Sequence, residues 1–495
     1  MSLFPFFYKH QHSKIDYNKV MLHDVLNGQK YNIDDITGSD LQLEDFRSKY
    51  DDCQTTCGSD LFHHWLYSIK TQKEISEIQQ DMKLLYDSGE IGRINRYLQK
   101  YAGVQKEGCL VRDLWNGFSV HNKVIDNFYI LFFSNLIINT VLSLLFSKYL
   151  ILFIILFFII NFILFLITNR YVSHVTASLG YFFSLCRTIK KIDKKIRISL
   201  SKKIPDYKRF NSLLPYSVFF KQGFGGPSSG DIISLLIDYF RVFFAFELFS
   251  FKIVEKSILK NQDTIRSIYL YIGYLDCLIN SLYTIEENNC CYSELSEAAD
   301  KIDFENMRHP LVENSLGQSK CINTNLIVTG LNMSGKTTFM KSTGINQLLA
   351  TSFGFCFADR FTTSIRDVLS SICINDSLLN GKSRYYAEAE RLVAIKHILK
   401  DHPCICLIDE ILSGTNSEER IEGSTKILKD FGSYNSIMIA ATHDTQIAQN
   451  LSQNYHQIYF DGEIVDDHIL FDYKIKEGIV SKKNGLLILK LLEKE

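Results

Sequence analysis

The 495-residue sequence predicts a helical region that is interrupted by a transmembrane helical hairpin and followed by a C-terminal α/β domain. Three observations support this fold class. Helical patterns fill most of residues 41–304, two long uncharged runs interrupt them, and short β-rich apolar runs alternate with helices from about Asn323 onward. The predicted segments are an N-terminal segment (1–40), a helical core (41–125), the hairpin (126–170), a basic helix with further long helices (171–304) and the α/β domain (305–495).

The overall composition excludes several classes of protein. Charged residues make up 22% of the chain and hydrophobic residues 46%, which excludes a disordered or fibrous protein. A net charge of −1 excludes a uniformly basic protein that bulk charge holds on nucleic acid. Within the helical region, the patterns predict helices over 60–70 and 71–88 and long helices across 232–300.

The hairpin is predicted from two uncharged apolar runs, 127–146 and 150–168, which Ser147, Lys148 and Tyr149 separate. Each run has roughly the 20 residues that a helix needs to cross a bilayer. The alternative is a buried pair of core helices, or one long helix. A third apolar stretch, 232–251, contains three charged residues, so a buried or membrane-surface helix is the better interpretation there.

A basic stretch at 187–209 follows the hairpin, with Asp193 and Asp206 as its acidic residues. By the positive-inside rule this side of the membrane is cytosolic. Because a hairpin returns to the side it left, the sequence predicts an integral membrane protein whose large parts, including the α/β domain, are cytosolic. The basic stretch itself has three interpretations: a solvated helix face, a contact with anionic lipid, or a contact with nucleic-acid phosphates.

A phosphate-binding loop opens the α/β domain. The apolar strand 326–329 runs into a complete G-x4-G-K-[ST] motif at 330–337, and a helix is predicted over 338–350. In this context, backbone N–H groups close around phosphates, Lys336 reaches the β- and γ-phosphates, and the Thr337 hydroxyl binds Mg²⁺. The residues predicted to contact ATP are Gly330, Asn332, Met333, Ser334, Gly335, Lys336, Thr337 and Thr338.

Two later strand ends supply acidic and imidazole groups. The apolar strand 404–408 ends in Asp409 and Glu410, and the strand 436–441 is followed by His443. Asp409 is predicted to bind Mg²⁺ and Glu410 to deprotonate the attacking water. His443 is predicted to sense the γ-phosphate, although a lone histidine is more often structural. Since parallel strand ends share one sheet edge, the sequence predicts ATP hydrolysis there, with Glu410, Lys336 and His443 as catalytic residues.

At these motifs the sequence resembles the MutS family of DNA mismatch-repair ATPases, which are relatives of the ABC ATPases. The Asn-Met pair inside the phosphate loop is distinctive of that family. The segments that carry the resemblance are 308–312, 329–338, 381–388, 407–410, 414–417, 441–444, 473–478 and 484–486. The resemblance implies a homodimer in which Ser383, Gly414, Thr415 and Asn416 approach the ATP of the partner subunit.

A weaker resemblance extends upstream and then departs from the family. Residues 55–66 resemble the start of the family's helical core, and 275–287 resemble the lever helix that returns to the ATPase. The chain contains no Phe-x-Glu wedge, and 40 leading residues are too few for a mismatch-reading domain. The hairpin stands where the family has its DNA clamp. DNA binding and DNA repair are therefore expected by family analogy alone.

The sequence is compatible with three alternatives. The chain is a membrane ATPase that acts on lipid or protein partners without binding DNA, a component of an ABC-type transporter, or a scaffold with an inactive ATP site. Two predicted crossings are too few to line a transport pathway. The intact Lys336, Asp409 and Glu410 argue against an inactive site.

Overall fold

The computed structural model describes residues 33–102, 122–196, 198–220, 246–296, 301–331, 333–372, 384–412, 415–465 and 468–479. Contacts divide the chain into two compact units. One contains the described residues of 106–186 and 206–267, and the other those of 31–105, 187–205 and 268–495. The N-terminal helices and the α/β domain thus belong to one compact unit, which also contains the candidate site.

The first part of the chain is helical, as predicted. Its α-helices in the described ranges are α1 (Asp35–Asp40), α2 (Leu43–Tyr50), α3 (Thr56–Leu66), α4 (Gln72–Ser88), α5 (Ile91–Ala102), α6 (Asn122–Leu145), α7 (Leu150–Lys195), α8 (Phe246–Lys260) and α9 (Gln262–Asn288).

Side-chain caps set the ends of α3 and α4. Gly58 N donates a hydrogen bond to Thr55 Oγ1 (2.9 Å), which starts α3 earlier than the predicted helix over 60–70. Thr71 and Glu74 form a capping box at the start of α4, and Gly89 ends that helix with φ +66°. The prediction of a helix over 71–88 is therefore confirmed to within one residue, whereas the bounds 60–70 were wrong at both ends.

Helices α6 and α7 are joined by a short 3-10 turn (Ser147–Tyr149), where the sequence predicts a break. Asn135 Nδ2 on α6 donates to Asn161 Oδ1 on α7 (3.1 Å). Large apolar side chains on the same two helices remain exposed: Ile130 by 65%, Leu144 by 78% and Ile151 by 74%. The two predicted helices therefore exist, and they carry much apolar surface.

The membrane-spanning character of this hairpin is not confirmed. Within the described residues, α9 is the helix whose length and apolarity would suffice to cross a membrane, and 83% of its apolar window is buried in the structure, as in a core helix. Shorter apolar stretches lie at Ile130–Leu145 and Leu150–Ile163, inside the two predicted runs. Of the third apolar stretch, residues 232–245 lie outside the described residues.

The predicted basic helix is helical only in part. Helix α7 ends at Lys195, and the described residues between it and a 3-10 turn at Tyr207–Phe210, namely 196 and 198–206, are not helical. Pro205 lies in this irregular part, and proline lacks the N–H that an α-helix needs. The basic side chains of 187–209 are thus divided between the end of one helix and the segment after it.

The second part of the chain is an α/β domain. Its strands in the described ranges are β1 (Cys291–Tyr292), β2 (Glu294–Leu295), β3 (Ile302–Met307), β4 (Gln318–Ile322), β5 (Leu326–Gly330), β6 (Phe355–Cys356), β7 (Arg360–Thr363), β8 (Asp367–Ser371), β9 (Cys404–Asp409), β10 (Ile437–Thr442), β11 (His456–Phe460), β12 (Gly462–Val465), β13 (His468–Phe471) and β14 (Lys476–Glu477). Its α-helices are α10 (Lys336–Ser352), α11 (Arg384–Asp401), α12 (Ser417–Phe431) and α13 (Thr445–Asn450).

The central sheet has the strand order β14-β11-β5-β10-β9-β8. Strands β11, β5, β10, β9 and β8 are parallel, and β14 pairs antiparallel with β11. Thr442 pairs with Thr329, and Ala441 pairs with Asp409, so the C-terminal ends of β5, β10 and β9 lie at one edge. This confirms the predicted parallel sheet and the shared edge of its three strand ends.

The β structure begins earlier than the expected change near Asn323. Strands β1 to β4 precede that residue, and a second sheet has the order β2-β7-β3-β4. Strand β3 alternates buried Ile302 and Phe304 with more accessible Asp303 and Glu305. Because one face of this strand is polar, its sequence lacks the continuous apolar run that marks the central strands.

Candidate nucleotide-binding site

The phosphate loop follows β5, which is buried along its whole length. Gly330 has φ +148°, and a Cβ at this position would lie 2.5 Å from Phe460 O and 2.9 Å from Ser334 Oγ. Gly335 has φ +107° at the start of α10. The backbone conformation therefore requires glycine at both positions, and the close approach of β11 is a second reason for glycine at position 330.

Lys336 lies inside the loop rather than in solvent. Its Nζ donates to Gly330 O and to Leu331 O, both at 2.9 Å, and the residue is only 5% exposed. Burial lowers the pKa of Lys336, while the nearby Asp409 and Glu410 oppose that shift. The ammonium group is thus held at the centre of the loop, next to the acidic end of β9.

Thr337 and Asp409 are brought together as a metal site requires. Thr337 Oγ1 donates to Asp409 Oδ2 at 2.6 Å. Asp409 Oδ1 and Ser334 Oγ are buried and have no hydrogen-bond partner within the described residues. A hydroxyl next to a carboxylate with an uncommitted oxygen is a donor set that suits Mg²⁺, and an uncommitted hydroxyl inside the loop suits a phosphate oxygen. The residues present therefore fit both Mg²⁺ and a nucleotide phosphate.

Glu410 and His443 form a pair at the same edge. His443 Nδ1 lies 3.1 Å from Glu410 Oε1, and both side chains are partly accessible. The hydrogen bond with His443 lowers the pKa of Glu410, and the same bond raises the pKa of His443. Glu410 also has φ +49°, and its N–H donates to Ala441 O (3.0 Å), so the backbone leaves the strand conformation directly after β9.

The remaining predicted site residues lie at more accessible positions or outside the described residues. Met333 is 87% exposed at the tip of the loop with φ +67°, and Thr338 is exposed on α10. Thr415 Oγ1 donates to Glu419 Oε2, and the Asn416 side chain caps α12 by accepting from Glu419 N. Asn332, Ser383 and Gly414 lie outside the described residues. The proposed contacts of these residues with ATP or with a partner subunit stay predictions.

The sequence does not predict two features of the site. Tyr473 approaches Gly335 so closely that a Cβ there would lie 3.2 Å from its ring. Arg420 Nε donates to Asp444 Oδ2 at 2.9 Å, directly after His443. Tyr473 lies in a segment that carries the family resemblance, and this was the available signal. Arg420 stands 24 residues from Asp444, and no sequence pattern connects them.

Comparison with known proteins agrees with the motif at this edge. Residues 326–494 match the family model of MutS domain V. The DNA mismatch repair protein MutS of Clostridium kluyveri is 25% identical over 264 residues, which are 48% of this chain and 28% of that protein. The DNA mismatch repair protein MSH3 of Saccharomyces cerevisiae is 26% identical over 246 residues, 46% of this chain and 24% of that protein.

A third relative, the MutS protein of Thermotoga maritima, is 23% identical over 253 residues. That match covers 49% of this chain and 31% of the relative. The chain thus spans less than a third of the length of the curated relatives it matches. It is homologous to MutS and MSH proteins at about 25% identity, and the ATPase domain V carries this homology.

Proposed function

We propose that this protein is a MutS-like ATPase that binds ATP with Mg²⁺, hydrolyses it as a homodimer and is anchored in a membrane by α6 and α7. One observation carries the ATPase proposal. The Thr337 hydroxyl bonds to Asp409, whose second oxygen is buried and uncommitted, beside the Glu410–His443 pair and the Lys336 ammonium. This collection of groups at one sheet edge suits phosphoryl transfer to water.

In this proposal each side chain has one task. Lys336 exchanges its two carbonyl partners for phosphate oxygens, and Thr337 and Asp409 hold the metal. Bound Mg²⁺ supplies positive charge that offsets the charge on the transferred phosphoryl group. Glu410, kept ionised by its contact with His443, orients the attacking water and accepts its proton. Since phosphoryl transfer depends on positioning and electrostatics, small displacements of this pair should affect turnover.

The ATPase proposal is tested by separating binding from turnover. Lys336→Ala should abolish binding of a fluorescent ATP analogue, because the central cation of the loop is lost. Glu410→Ala should bind the analogue normally and lose turnover by about 10² to 10⁴-fold, the usual contribution of a general base. Lys429→Ala and Glu422→Ala, at exposed positions on α12, are the matched controls. Undiminished turnover in Glu410→Ala would remove its assigned role.

The dimer and membrane parts of the proposal have their own support. By family resemblance, Ser383 and the 414–416 loop complete the partner's site, so turnover should rise with protein concentration. The exposed apolar side chains of α6 and α7, such as Leu144 and Ile151, favour a lipid environment. Flotation with liposomes tests this part: the intact chain should float, and a Leu144→Arg/Ile151→Arg variant should float less. Equal flotation of both would refute the anchor.

DNA binding is proposed by analogy with the mismatch repair relatives, and contact of 187–209 with anionic lipid is a second proposed interaction. Both partners are polyanions, so one experiment compares them. ATPase turnover is measured with homoduplex, mismatched and branched DNA, with and without liposomes that contain anionic lipid. Stimulation by DNA with a steep salt dependence supports the repair role. Stimulation by liposomes alone supports a membrane ATPase that does not act on DNA.

A further inference from the structure

An ion pair connects helix α12 to the segment that carries His443. Arg420 lies in the first turns of α12, and its Nε donates to Asp444 Oδ2 at 2.9 Å. The two side chains are 20% and 21% exposed, so solvent screens this pair less than a surface ion pair. Asp444 follows His443 directly in the chain, and the ion pair therefore acts on the backbone next to the imidazole.

The contacts of Asp444 suggest that the pair has a task other than capping a helix. Asp444 occupies the N-cap position of α13, where an aspartate ordinarily accepts a hydrogen bond from the helix, yet its side chain makes no such bond. Its carboxylate contacts Arg420 instead, while its N–H donates to Thr442 Oγ1 at 3.0 Å. The residues on both sides of His443 are thus attached, one to β10 and the other to α12.

Helix α12 in turn begins at the loop that is predicted to face the partner subunit. Asn416 caps the helix through Glu419 N, and Arg420 N donates to Asn416 O at 3.0 Å. Arg420 is therefore one helical turn from Thr415 and Asn416. A displacement of this loop would move Arg420, and with it Asp444, because a helix turn is stiff compared with the loop before it.

We propose that Arg420 and Asp444 are a positioning pair that holds His443 against Glu410 and transmits the arrival of the partner subunit at Thr415 and Asn416 to that pair. The inference rests on the proposed ATPase function and deepens it. Neither residue touches the reacting atoms. Their contribution is to the orientation of His443, so they should affect the rate of hydrolysis and leave nucleotide binding unchanged.

The test compares kcat, KM and analogue binding in the full-length protein and its variants. Asp444→Ala and Arg420→Ala should each lower kcat about tenfold, with unchanged binding of the ATP analogue, because transition-state orientation is lost and ground-state contacts remain. Turnover per protein by these variants should also rise less steeply with protein concentration, because the arrival of the partner is no longer transmitted to His443. The exchanged pair Arg420→Asp/Asp444→Arg should restore kcat to within about threefold of the wild type, since the attraction is re-formed.

A second ion pair on the same helix is the matched control. Lys396 Nζ contacts Asp430 Oδ2 at 2.8 Å and joins α11 to the far end of α12, and Lys396→Ala should leave kcat unchanged. Analogue binding and far-ultraviolet circular dichroism verify that each variant is folded. Wild-type kcat in the folded Asp444→Ala protein, or no restoration in a folded exchanged pair, would overturn the inference. Absence of turnover in the wild type would instead overturn the proposed function itself.

Discussion

Replacement of Asp276 should weaken the joint between α9 and α3. Asp276 is 1% exposed and accepts hydrogen bonds from Gln54 N (3.0 Å), Thr55 N (2.7 Å) and Thr55 Oγ1 (2.7 Å). Thr55 is also the N-cap of α3. The packing is tight, because a Cβ at Gly58 would lie 2.2 Å from Asp276 Oδ2. Water therefore has little room to replace a lost carboxylate.

The magnitude follows from these contacts. Asp276→Ala leaves the buried Thr55 N–H and the partly buried Gln54 N–H without an acceptor, whereas the Thr55 hydroxyl can rotate. An unsatisfied buried donor costs about 1–3 kcal/mol and a donor that water can reach costs less, so the variant should lose about 2–4 kcal/mol of unfolding free energy. That loss is a large part of the stability of an ordinary domain, which is about 5–15 kcal/mol.

Urea unfolding followed by tryptophan fluorescence measures this loss. Trp65 lies on α3 and is 5% exposed, so it reports on the affected helix, and Trp115→Phe removes the other tryptophan of the chain. Asp263→Ala, at an exposed position in the first turn of α9, is the matched control. A midpoint for Asp276→Ala equal to that of Asp263→Ala would refute the assigned role of the carboxylate.

The pH dependence gives an independent check. Burial raises the pKa of Asp276 to about 7, with the hydrogen bonds from Thr55 and Gln54 opposing the shift. An unfolded aspartate has a pKa of about 3.9, so the folded protein retains a proton that the unfolded chain releases. The contribution of this raised pKa to the free energy of unfolding is thus fully present below about pH 4, and it is lost as the pH rises to about 7. Asp276→Asn should remove this part of the dependence of unfolding free energy on pH. An unchanged dependence would contradict the raised pKa of Asp276.

Two further predictions concern the loop and the N-terminal helix. Gly330→Ala should weaken ATP analogue binding at least tenfold, because its Cβ would lie 2.5 Å from Phe460 O. Gly92→Ala is the control and should bind the analogue normally, since nothing lies within 4 Å of a Cβ at that position. Equal binding by both variants would contradict the conformation that Gly330 is said to require. Asp40→Ala should weaken the contact between α1 and the end of β8, since Asp40 accepts hydrogen bonds from Ser370 Oγ and Ile372 N. Each lost hydrogen bond should lower the free energy of unfolding by about 1–3 kcal/mol. Limited proteolysis near α1 should then become faster, and an unchanged rate would argue against this contact.

Much of the phosphate-binding edge could be predicted because its chemistry is local in the sequence. The motif around Gly330 and Lys336 needs a strand before it and a helix after it, and β5 and α10 stand there. Asp409 and His443 follow apolar runs that could only be buried strands. Parallel strands then bring their C-terminal ends together, which places Thr337 beside Asp409.

The long-range contacts could not be predicted in this way. Asp276 meets Thr55 across 221 residues, and Asp40 meets Ser370 across 330. The sequence around either aspartate does not show which distant group it meets. Burial and partners give it a role, and both are consequences of packing between distant elements.

The sequence by itself determined which groups assemble at the sheet edge, since strand, loop and helix propensities and the spacing of Gly330, Lys336 and Thr337 act over a few residues. Only the tertiary structure decided which groups hold them there: the orientation of His443 through Arg420 and Asp444, and the attachment of α3 through Asp276. The physical reason is the distance along the chain over which each kind of interaction acts. Local preferences choose the elements, whereas buried hydrogen bonds and ion pairs form only after chain segments far apart in sequence have packed and excluded water.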